Sequence, residues 1–186
     1  MERYMVHLEN GGYDRTDATG ILRQARALTG EGITVRDVRV AAPHIELDTT
    51  IPDGTLRHTL DALAPLGGVV DARHITEVQV PKEDAIREGI EYFNGERFWE
   101  CHESFEGVWK ECYEGEKDLL QGIILAAAGL VHYQKNEDAI CISIFGRALK
   151  KLERCTGTYH TIDVEGLRRR LDRMVQSGTI STFDLA

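Results

Sequence analysis

The apolar residues of this chain repeat with two different periods, and the change falls at Pro81. Before it, short runs of strand type alternate with helix-spaced runs; after it, helical spacing continues almost to the C-terminus. Arg3 to Leu8 reads as a strand closed by Asn10-Gly11-Gly12. Ile21, Leu22, Ala25 and Leu28 follow at helical intervals over Thr16 to Leu28, and Gly30 and Gly32 stop them. Val35, Val38 and Val40 lead to Pro43, and His44-Ile45-Glu46-Leu47-Asp48 alternates as a half-buried strand should. Leu56, Leu60 and Leu63 mark a second helix ended by Pro65, and Val69 to Val80 closes as a strand. The order β-α-β-β-α-β predicts a ferredoxin-like domain over residues 1–80, a four-stranded antiparallel sheet with two helices on one face. His7, His44, His58 and His74 sit on separate elements without ligand-type spacing, so solvent exposure is the expectation for them.

Pro81 ends the last strand and precedes Lys82-Glu83-Asp84, an acidic helix start. Helical segments are expected at about 82–93, 96–113, 116–135, 138–155 and 163–177, which makes residues 82–186 an all-helical bundle domain and the whole chain α+β. Its four cysteines, Cys101, Cys112, Cys141 and Cys155, form no CxxC pair or zinc-ribbon spacing and read as reduced thiols packed as small hydrophobes.

The unusual stretch is Phe98-Trp99-Glu100-Cys101-His102-Glu103-Ser104-Phe105-Glu106-Gly107-Val108-Trp109. On a wheel of about 100° per residue with Phe98 at the origin, His102 falls at about 40°, in the middle of the apolar face, and Glu106 at about 80°, at its edge. Glu103 lies on the flank. An imidazole and a carboxylate thus occupy neighbouring positions one turn apart. Three uses fit this HExxE pattern. His102 could be a core histidine bonded to Glu106. His102 and Glu106, with Glu103, could hold a divalent metal, although the second histidine of the HExxH zinc pattern is a glutamate here and no second such helix exists. Glu106 could also tune His102 for acid–base catalysis.

The following helix, Leu119-Leu120-Gln121-Gly122-Ile123-Ile124-Leu125 with its alanine run, carries Gln121 and His132 on one face. They stand about 16 Å apart along the axis, so at most one meets His102. Gln121 needs a hydrogen-bond partner in an apolar run, and His102 or Glu106 is the economical choice. Gly122, Ala126 and Gly129 allow a neighbouring helix to approach closely.

The two runs together, from Asn94-Gly95 through Trp99, His102-Glu103, Glu106 and Trp109 to Leu119-Leu120-Gln121-Gly122, resemble the family called domain of unknown function 309. The resemblance covers about residues 85–180 and implies a helical fold in which His102, Glu103, Glu106, Trp109 and Gln121 form the polar and aromatic core. It implies no activity.

Net charge is -9, and residues 83–118 carry 12 acidic against 4 basic groups, so the excess sits on the segment holding the HExxE helix. That balance disfavours nucleic acid as partner. Two basic stripes, Arg147/Lys150/Lys151/Arg154 and Arg168/Arg169/Arg170/Arg173, read as surface charge that pairs with the acidic helices or faces water. No run reaches the length of a membrane span and no apolar leader opens the chain, so a cytoplasmic protein is expected. The expected function is a binding or regulatory module in which a small ligand or protein docks at His102, Glu103, Glu106, Trp109 and Gln121. A metal-dependent or acid–base enzyme, hydrolase-like, using His102 and Glu106 is the alternative. Either is compatible with a homo-oligomer.

Overall fold

The computed structural model describes residues 1–76 and 80–186. They group into two compact units, the N-terminal α/β region, with which Gln134–Asn136 cluster, and the helical remainder.

The N-terminal unit runs β1 (Glu2–Glu9), α1 (Ala18–Thr29), β2 (Thr34–Val40), β3 (His44–Ile51), α2 (Leu56–Leu63) and β4 (Val69–His74). The sheet order is β2-β3-β1-β4 with every neighbour antiparallel, the ferredoxin-like arrangement expected from the element order. Val6, Leu8, Val38, Val40, Ile45 and Leu47 point to one face and pack with Ile21 and Ala25 of α1 and Leu63 of α2. A register shift between Val35 and Asp37 lets Val35 join that face as well. The last strand is shorter than the expected Val69 to Val80, since β4 ends at His74; residues 77–79 of that expectation lie outside the described residues.

The helical unit comprises α3 (Lys82–Asn94), α4 (Phe98–Lys110), α5 (Glu114–Gln134), α6 (Asp138–Leu152) and α7 (Val164–Ser177), with a two-residue hairpin, β5 (Thr158–Tyr159) and β6 (Ile162–Asp163), between α6 and α7. The hairpin is a small departure from an all-helical reading. Asp163 caps α7 by accepting from the Gly166 amide, and Gly178, left-handed at φ 69°, ends it. Small residues set the helix spacings. A Cβ on Gly89 of α3 would lie 2.8 Å from the Phe105 ring of α4, and one on Gly122 or Gly129 of α5 would strike Leu152 or Phe145 of α6 at 2.4 and 2.5 Å. The expected close approach at Gly122 and Gly129 is therefore present. Cys101, Cys112 and Cys141 are buried and Cys155 is partly so, all four as free thiols. No helix among the described residues is long and apolar enough to cross a membrane.

Candidate functional site

Helix α4 is held by its apolar stripe and by α3. Phe98, Cys101, Phe105 and Val108 are buried on it, and Ser104 Oγ donates to the Ala85 carbonyl at 2.8 Å. That stripe centres on Cys101 and Phe105 rather than on His102. The imidazole therefore stands at its edge, a correction to the mid-face position expected from the wheel. Cys101, Val108 and Cys112 draw the buried face to the other side of Phe98.

His102 lies between two carboxylates. Its Nδ1 is 3.3 Å from Glu103 Oε1, and its Nε2 is 3.7 Å from Glu106 Oε1, one turn along. The three side chains are 25%, 49% and 44% exposed, so the cluster is open to water and is not a sealed core network. One ligand atom from each lies within 4.8 Å of the others. A cation set against them would meet one imidazole nitrogen and two carboxylates on a single helical turn, with the remaining coordination directions left to water or substrate.

Among the described residues, no hydrogen bond or ion pair joins the other expected members to this trio. Trp109 packs on the helical core with the Lys117 ammonium 5.1 Å from its ring centroid. Gln121 is half-buried on α5, and no hydrogen bond among the described residues joins it to His102 or Glu106. His132 pairs locally, its Nδ1 lying 2.5 Å from Glu137 Oε2. The basic stripes are partly spoken for: Lys151 reaches Asp118 at 2.8 Å, Arg169 reaches Asp163 at 3.3 Å, and Arg168 donates to the Cys155 carbonyl.

Sequence reasoning missed two polar groupings in the same unit. Glu100 is buried, and both Nε and Nη2 of Arg97 donate to its Oε1, at 3.0 and 2.6 Å. The three-residue spacing was the available signal. Glu116 of α5 accepts from Lys82 Nζ at 2.6 Å and from the Tyr159 hydroxyl at 2.5 Å. Burial works against its charge, but hydrogen bonds from Lys82, Tyr159 and Cys112 outweigh it and hold the carboxyl at about 2. Burial, reinforced by Glu116, pushes the Tyr159 hydroxyl and the Cys112 thiol up, so neither ionises near neutrality. Nothing local in the sequence relates Tyr159 to Glu116.

The N-terminal unit overturns one expectation outright. His7 and His44 are buried at 2% and 7% exposure beside Glu46 and Arg39, whereas His58 and His74 are exposed as anticipated. The strict alternation of β3 marks two different faces, but both are buried. The polar one is tolerated because its charges meet partners on neighbouring strands.

No curated protein matches the chain. Residues 86–144, from the second turn of α3 through α4 and α5 into α6, match the family described as Domain of unknown function (DUF309), and the N-terminal ferredoxin-like unit lies outside that match.

Proposed function

We propose that this is a cytoplasmic binding or regulatory module of two domains, residues 1–80 and 82–186. Its helical domain receives a small cationic ligand, or the cationic group of a partner, at His102, Glu103 and Glu106. Trp109 and Gln121 are the neighbours that the family resemblance implies. The observation that carries this reading is an imidazole bracketed by two carboxylates at 3.3 and 3.7 Å, all three open to solvent. The acidic excess of residues 83–118 adds a field that concentrates cations there. The test is a titration of the full chain with spermidine and, separately, with zinc(II), following the His102 ring resonances by NMR. A saturable shift of His102, abolished in the Glu103→Gln/Glu106→Gln double variant, is expected. His102 resonances that move with neither probe would overturn the reading.

A second reading has one observation in its favour. Three potential ligand atoms within 4.8 Å on one helical turn suit a divalent metal with open positions, as a metal-assisted hydrolase needs. Metal analysis of untagged protein separates the two. One equivalent of zinc lost on going from wild type to His102→Ala supports the metal centre, and a zinc content equal in the two proteins removes it.

A further inference from the structure

We propose that the ferredoxin-like unit carries a second, buried binding site for a divalent transition metal, zinc(II) by its donor set, made by His7, His44 and Glu46. It lies on strands outside the family match and is independent of the HExxE cluster.

The strand ladder builds it. His7 of β1 stands directly opposite Glu46 of β3, and His44 precedes Glu46 by two residues, which puts it on the same face of the same strand. Cross-strand and diagonal neighbours lie within reach of one another on a pleated surface. Accordingly His7 Nε2 is 3.1 Å from Glu46 Oε2, and the two imidazole rings meet edge to face with centroids 4.9 Å apart. One ligand atom from each of the three lies within 4.8 Å of the other two. Ligand atoms around a tetrahedral zinc are separated by about 3.3 Å, so the donors need to close by about 1.5 Å at most, a matter of side-chain rotation.

The chemistry fits as well as the spacing. Two imidazoles and one carboxylate form a three-ligand set that leaves a fourth position open. Glu46 is oriented from behind: Arg39 Nε donates to Oε1, leaving Oε2 for the histidine side. Arg39 has a second carboxylate, Asp37, 3.6 Å from its Nη1, so Glu46 is not its sole counter-ion. This is the outer-shell support that fixes metal-ligating carboxylates. Because the donors come from the two central strands of the sheet, the site is held by the ladder itself rather than by a loop.

The test uses the untagged full chain, stripped of metal and titrated with zinc(II) and with cobalt(II) as spectroscopic probe. In His102→Ala, which disables the helical cluster, one equivalent of zinc is expected to remain. X-ray absorption at the zinc edge of that protein should give two imidazole nitrogens at about 2.0–2.1 Å. His44→Gln and His7→Gln should each weaken zinc binding by at least about 100-fold, since even outer-shell losses reach that scale. A His102→Ala protein that binds no zinc, or whose zinc lacks histidine nitrogen, overturns the proposal without any variant in the sheet having to fold. Folded His44→Gln protein with unchanged zinc affinity overturns it too. Failure here leaves the helical cluster untouched, because zinc there is lost in His102→Ala and retained in His44→Gln.

Discussion

The Tyr159 hydroxyl donates to Glu116 Oε1 at 2.5 Å, joining the β5 hairpin to the start of α5 across 43 residues of chain. Lys82 completes the arrangement from the first turn of α3, so one carboxylate ties three separate segments. The pH dependence follows. Glu116 sits at about 2 in the fold against an ordinary 4.5, so its stabilisation is fully present above about pH 4.5 and is lost as pH falls toward 2. Urea unfolding of wild type and Glu116→Gln should differ by a nearly constant amount from pH 5 to 8. The gap should close between pH 4.5 and 2. After solvent screening it should be of the order of 1 kcal/mol. A gap that persists at pH 2 would mean that the contribution is steric.

Arg97 and Glu100 should behave as a buried pair. The Glu100 side chain is wholly buried while Arg97 is about a quarter exposed. Arg97→Ala removes two donors from a carboxylate that water does not reach, and a loss of about 3 kcal/mol is expected by denaturant unfolding. Arg97→Lys keeps the charge without the planar fork and should lose less. Equal losses in the two variants would show that the fork geometry, rather than the charge, is what matters.

Two helical glycines should respond in opposite directions. Gly107 of α4 is exposed with open space around a prospective Cβ, so Gly107→Ala should stabilise by about 0.5–1 kcal/mol. On Gly129 of α5 the added methyl would lie 2.5 Å from the Phe145 ring, and Gly129→Ala should cost about 1–3 kcal/mol despite the better helix propensity. Thermal unfolding of the two proteins checks the sign of each.

His102→Ala should be nearly neutral for stability. The cluster is quarter- to half-exposed, and exposed ion pairs contribute about 0–1 kcal/mol. A melting-curve loss equivalent to more than about 3 kcal/mol would make His102 a core residue and remove the reason to treat it as a binding group.

Local pattern made much of this fold readable. The period of Ile21, Ala25 and Leu28 against that of Ile45 and Leu47 distinguishes helix from strand, and Pro81 marks where the alternation ends. The i, i+4 relation of His102 and Glu106 is a property of any helix, so their proximity was legible too. The wheel was less reliable about depth, because a helix's buried face is decided by what packs on it. Here the α3 contact, with Gly89 against Phe105, turned the Cys101 side inward and left His102 at the rim.

By itself, the sequence determined the order and type of the elements and the grouping of side chains one turn apart, because both follow from backbone periodicity. Only the tertiary structure decided which polar residues lie inside. Alternation along His44–Ile51 says that two faces differ, not that the second is shielded from water. Whether Glu46 can be buried depends on Arg39 and His7, 7 and 39 residues distant, because a carboxylate leaves water only when partners meet it, and here they come from neighbouring strands. Glu116 obeys the same condition through Lys82 and Tyr159.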